Sequence, residues 1–226
     1  MRPQFFVLAP SSERDEARAI LDDSRPAWET IWCSHGHGMV KTRRTGPLVV
    51  SELPSQRDAV WTWFADLLVY DRVKRIIEVQ LSGCTFAAVA FAAGCSPPRE
   101  PLWELQVTGF AGFAATRGIE VIPRACGCGT YRFNFVGAFA DLIDPRKWDG
   151  SDLFTIWPFP RLQLCAEKAA HILRCNDTSG IAVIPIDDFE VPANSAAPGL
   201  PSAWLDDDAV RRLMGDPDYM EAVWPA

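Results

Sequence analysis

Apolar positions recur along this chain with two periods, and the change from one to the other divides it into strands and helices. Phe5-Phe6-Val7-Leu8 is read as a first strand over 4–9, and Pro47-Leu48-Val49-Val50 as a short one. Residues 10–30 are polar, with one helical turn expected around Arg14–Ile20. From Asp58 to Leu81 the pattern is helical: Val69, Val73, Ile76, Ile77 and Leu81 recur at three- and four-residue steps and share a face. Gly83 stops that helix, and Thr85 to Phe91 follows as a strand. Leu102–Thr108 alternates as a strand should; Gly109 to Gly112 predicts a turn, and a further strand over 113–121 is interrupted at Gly118. After Phe154-Thr155-Ile156-Trp157 comes a second helix with the stripe Leu162, Cys165, Ala169, Ile172 and Leu173. Ser179-Gly180 ends the connection, and Ile181 to Ile186 is a β-branched strand placed at an edge by Pro185, which has no N–H to donate.

Two stretches therefore share one layout of helix, Ser-Gly turn and apolar strand: Asp71 to Phe91 and Cys165 to Ile186. The pattern predicts an α+β fold, a mostly antiparallel sheet with helices packed on one side, in which this pseudo-repeat is either a duplication or two unrelated connections. Residues 1–190 form the expected core domain. Residues 191–226 are an acidic extension with a short helix from Asp206 to Met214, for which Asp206 is a plausible N-cap.

Charge sharpens that division. Residues 187–226 hold nine acids against Arg211 and Arg212, so the net charge of −7 lies entirely there and the rest sums to zero. Nucleic acid is a poor partner for such a chain, because phosphate contacts need a basic surface; a basic protein suits it better. No apolar run approaches the length of a membrane span, and the short N-terminal apolar stretch reads as a strand rather than a signal peptide, so a cytoplasmic protein is expected. Seven cysteines without an export signal argue against a disulfide framework. Cys84, Cys165 and Cys175 sit in apolar stretches as small hydrophobes.

The strongest local signal is a pair of glycine-rich turns, Cys33-Ser-His-Gly-His37-Gly and Cys126-Gly-Cys128-Gly129. Tetrahedral zinc takes four N/S ligands from two such turns. Cys33, His37, Cys126 and Cys128 would make a closed, structural Cys3His site, with His35 as an alternative ligand; the other reading is two turns with free thiols and imidazoles. No nucleophile elbow, phosphate loop or zinc-protease motif is present, and His171 falls off the second helix's stripe. The chain is therefore expected to bind rather than catalyse. Asp206, Asp207 and Asp208, with Trp204 and Trp224 as apolar anchors, are the candidate partner-binding residues. Two further readings are a zinc-ribbon-like regulatory module, and a metal-dependent hydrolase using Asp187, Asp188 or the Asp206–Asp208 cluster.

Several of these segments, in this order, resemble the bacterial double-CXXCG motif family: Phe5-Phe6-Val7-Leu8, Trp32-Cys33 to Gly38, Ser51-Glu52-Leu53-Pro54, the helix over 71–81, Leu102 to Val107, Cys126 to Gly129, and Asp152-Leu153-Phe154 through to Ile186. The first turn departs from the family in carrying a histidine, one place further on, for the second cysteine; the second turn lacks one spacer residue. The resemblance implies an immunity protein, encoded beside a contact-delivered or secreted toxin that it neutralises by direct binding.

Overall fold

The computed structural model describes residues 3–11, 18–22, 28–32, 34, 39–54, 57–114, 119–122, 130–133, 139–189 and 207–217. The chain runs through β1 (Phe5–Pro10), β2 (Arg18–Leu21), β3 (Trp28–Trp32), β4 (Met39–Arg44), β5 (Val49–Glu52), β6 (Ala59–Thr62), β7 (Leu67–Tyr70), α1 (Asp71–Gln80), β8 (Cys84–Ala88) and β9 (Ala90–Phe91). It continues through β10 (Leu102–Val107), β11 (Gly109–Phe113), β12 (Ile119–Ile122), β13 (Thr130–Phe133), a 3-10 turn at Phe139–Leu142, β14 (Leu153–Trp157), β15 (Phe159–Ala166), α2 (Glu167–Cys175), β16 (Ile181–Pro185) and α3 (Asp207–Met214). The fold is α+β. Only β2–β6, β5–β9 and β11–β14 pair in parallel among the described strands.

The two halves repeat each other. One sheet has the order β11-β14-β15-β1-β16; the first five strands of the corresponding series in the other run β2-β6-β7-β10-β8, before β5 and β9 extend it. In each series the first pair is parallel and the next three are antiparallel. The register matches too: Phe5 pairs with Ala166, the residue before α2, as Leu102 pairs with Tyr70, the residue before α1. The first strand of each repeat is exchanged, since β1 completes the sheet of β15 and β16 while β10 completes that of β7 and β8. A helix cation sits over the same ring position of each exchanged strand, Lys74 Nζ 4.9 Å from Trp103 and Arg174 Cζ 4.9 Å from Phe6. The layout seen in the sequence is thus part of a larger internal repeat.

Strand alternation sorts the core. Phe6 and Leu8 face a cluster shared by both sheets, where Val73 and Ile77 of α1 meet Ala169, Ala170 and Leu173 of α2. Both helices therefore lie on the common side. Phe5 and Val7 face the opposite side, packed with Phe110, Phe154, Phe159 and with Ala209 and Leu213 of α3. The seven-stranded sheet begins at β8 and ends at β9, one residue further along the same stretch, so it closes on itself around Leu48, Val50, Val60 and Leu68. As Pro185 predicts, β16 is an edge strand.

Five expectations are corrected. Residues 59–70 are a β-hairpin, not the start of the first helix, and Leu162 and Cys165 belong to β15, not α2. In both places a strand runs straight into a helix, and its apolar face continues the helical stripe: Val69 packs with Val73 and Ile77, Cys165 with Ala169 and Leu173. Arg18–Leu21 is extended rather than helical, and Gly109–Phe113 is a fully buried strand rather than a turn. Cys175, expected to be buried, closes α2 in an exposed position.

Candidate functional site

The residues singled out by sequence fall mainly outside the described ones. Cys33, His35, His37, Cys126 and Cys128 do so. What is described is their setting: β3 pairs antiparallel with β4, and β12 with β13. Both candidate ligand segments therefore connect the strands of a two-stranded hairpin, at matching places in the two repeats. Among the described residues no cluster of three His, Cys, Asp or Glu could hold a metal ion. Trp204, Asp206 and Trp224 lie outside as well. Asp207 opens α3, and Asp208 is exposed on its first turn, 2.9 Å from Arg211. Asp187 and Asp188 are exposed on a 3-10 turn. His171 is exposed and faces the Cys175 sulfur at 3.5 Å.

Burial disfavours the thiolate at buried Cys165 and at half-buried Cys84. Burial pushes Cys165 up to about 12 and Cys84 up to about 11, far from the range where a thiolate exists near neutrality.

Two matched polar junctions tie the repeats together. The Ser179 N–H and hydroxyl donate to the Asp58 carboxylate at 3.0 and 2.8 Å, and Arg72 Nε donates to it at 3.0 Å. The Ser82 N–H and hydroxyl donate to Asp152 at 2.8 and 2.9 Å, and Lys168 Nζ donates at 2.9 Å. Burial alone would raise both carboxyls, but these donors outweigh it and hold them below the usual carboxylate range. Beside the first junction lies an open cleft of about 390 Å³ lined by Arg57, Tyr70, Arg72 and Arg99. Its Arg72 and Ser179 are already engaged by Asp58, so it reads as the rim of a structural joint.

The surface feature of most chemical interest is the turn between β6 and β7. Trp63 is 51% exposed and Phe64 is 49% exposed. The turn that carries them is braced from below. The hydroxyl of fully buried Thr62 accepts the N–H groups of Phe64 and Asp66, each at 3.1 Å, and donates to the Asp66 carboxylate at 2.7 Å. Ala65 N–H reaches back to the Thr62 carbonyl, with Ala65 in the left-handed region at φ 65°. Gln163 Nε2 on β15 donates to the Ala65 carbonyl from the other sheet. Arg18 of β2 stands over the Trp63 ring at 4.7 Å, and Arg161 of β15 over the Phe64 ring at 5.6 Å. Burial pulls the Arg161 guanidinium below its ordinary value, against the pull of the Asp66 carboxylate. Ile20, two residues from Arg18 on β2, is also exposed.

In the sequence Trp63 falls within the stretch read as helical from Asp58 to Leu81, and only Trp204 and Trp224 stand out as anchors. Trp61 and Trp157 are buried. Trp63 was hidden because Thr62-Trp63-Phe64-Ala65-Asp66 has none of the Gly, Pro or Asn that announce a turn.

No protein-family model matches the chain, and no curated protein matches it. No helix among the described residues is long and apolar enough to cross a membrane.

Proposed function

We propose that this protein works by binding another protein, and that it is an immunity protein that neutralises a cognate toxin. The observation that carries the reading is the braced turn presenting Trp63 and Phe64 to solvent beneath Arg18 and Arg161. Tryptophan and arginine are the residue types that dominate binding energy at protein interfaces. A turn already fixed by Thr62 and Asp66 loses little freedom on association. The toxin as partner is drawn from the resemblance to the double-CXXCG family. The acidic segment around Asp206, Asp207 and Asp208, with Trp204 and Trp224, supports a second contact, to a basic region of the same toxin. A structural zinc held by Cys33, His37, Cys126 and Cys128 would stiffen two hairpins that occupy equivalent places in the repeats. The test is co-expression with the product of any toxin-like reading frame found beside this gene: growth should be rescued and a stable complex recovered, with about one zinc per chain by elemental analysis. Toxicity unchanged by co-expression would end the immunity reading; loss of the zinc alone would not.

A further inference from the structure

The second repeat shows what this fold does with aromatic residues at the matching turn. Trp157 stands five residues beyond Asp152, as Trp63 stands five beyond Asp58. Trp157 and its neighbour Phe159 are wholly buried, and the chain supplies the cover itself. Phe139 meets Phe159 edge-to-face at 5.7 Å, and Leu142, Ala209 and Leu213 join the same cluster. In the first repeat the turn aromatics are half open. Among the described residues, the fold thus buries this position in the second repeat with its own segment and leaves it half open in the first.

The frame around the open turn says what kind of cover fits. A guanidinium lying with its face on an aromatic ring keeps its N–H groups around the edge, in the plane suited to a carboxylate. Arg18 and Arg161 bring two guanidinium cations to the border of the patch, within cation–π distance of Trp63 and Phe64, and Arg18 Nε is buried without a hydrogen-bond partner among the described residues. The acid beside them, Asp66, accepts from the Thr62 hydroxyl and also acts on Arg161 through its charge.

We propose that the Trp63–Phe64 turn is the docking site for an acidic protein segment. Its apolar side chain would cover the two rings and its carboxylates would meet Arg18 and Arg161. This rests on reading the protein as a toxin binder, the segment being part of the toxin. The patch has the opposite polarity to the acidic C-terminal segment, so a toxin touching both can dock in one orientation only.

A displayed library of random peptides, panned against the full chain, tests the surface without the toxin. Enriched peptides should carry Asp or Glu around an aromatic or aliphatic residue. Trp63→Ala, Phe64→Ala and Arg18→Glu should each weaken them by about thirtyfold, the scale of an interface hot spot. Near-native melting temperatures for all three variants would exclude misfolding as the cause. Enrichment of basic peptides, no enrichment at all, or binding indifferent to all three variants would overturn the proposal. If acidic peptides bind through the patch but the neighbouring toxin-like product does not bind, the toxin reading fails and the surface stands. A toxin that binds every patch variant as tightly as wild type would remove the surface alone.

Discussion

Asp58 and Ser179 lie 121 residues apart in sequence and hold each other through three hydrogen bonds. The Asp58 N–H donates to the serine hydroxyl at 2.9 Å, while the serine N–H and O–H donate to the Asp58 carboxylate. Asp152 and Ser82 repeat all three, with the Asp152 N–H at 3.1 Å from the serine oxygen. Each joint crosses from the hairpin of one repeat to the post-helix turn of the other, so the repeats are locked by a reciprocal pair of contacts as well as by exchanged strands.

Removing either carboxylate should therefore cost more than a surface ion pair. Asp152→Ala leaves Lys168 and the Ser82 donors without their acceptor, and should lower unfolding stability by about 1–3 kcal/mol in urea titrations. Asp58→Ala and Ser179→Ala should be markedly non-additive in a double-mutant cycle. The pH dependence has a definite sign. Both carboxyls are depressed in the folded chain, so their contribution is complete above the unfolded value of about 4 and is lost as pH falls through the folded values. Asp152→Asn should lower stability most at neutral pH and flatten the acid limb of the stability curve, so that wild type and variant converge as pH falls.

The glycines at these joints are required by contact as well as by conformation. Gly83 and Gly180 have φ of 83° and 96°, and a Cβ on them would be driven into the Leu153 and Ala59 carbonyl oxygens. Gly83→Ala and Gly180→Ala should each cost about 3 kcal/mol or more, through backbone strain plus overpacking. Gly94 also has positive φ, at 93°, but faces open space. Gly94→Ala should cost only the left-handed penalty of about 1–2 kcal/mol. Equal losses at all three in thermal melts would show that the close approach of the repeats is not as described.

Helix α1 gives a graded test of which face is buried. Val73 and Ile77 are wholly buried, whereas Ile76 is only partly so. Ile77→Asp places an unpaired carboxylate in the cluster shared by both sheets and should cost about 4 kcal/mol or prevent folding. Ile76→Asp should be much milder, since its carboxylate can reach water. A reversed order in denaturant midpoints would mean that the helix is rotated.

Much of the fold is legible in the residues, and the errors have a common cause. The β-branched run at Ile181, the edge signal of Pro185 and the Ser-Gly turns mark real elements. The two helix starts are silent, because Tyr70 and Ala166 stand at the N-cap positions in extended conformation without a side-chain hydrogen bond. With no Ser, Thr or Asp there to announce a helix, the apolar step from Val69 to Val73 reads as one helix although a strand ends between them. Strands buried on both faces, such as Leu67-Leu68-Val69, also lack the alternation that identifies a half-exposed strand. The exchange of β1 and β10 leaves no local trace, because it depends on pairings between distant residues. The Trp63–Phe64 turn is equally silent, its left-handed position being filled by Ala65 rather than glycine.

The central claim is that Trp63 and Phe64, framed by Arg18 and Arg161, form a partner-binding surface. It is tested most directly by measuring the affinity of the proposed toxin partner, taken from any toxin-like reading frame found beside the gene, for wild type and for the Trp63→Ala/Phe64→Ala variant, by calorimetry at matched salt. The account predicts tight binding by wild type and a loss of about thirtyfold or more in the folded variant. Unchanged affinity in a variant with a native melting curve would contradict it.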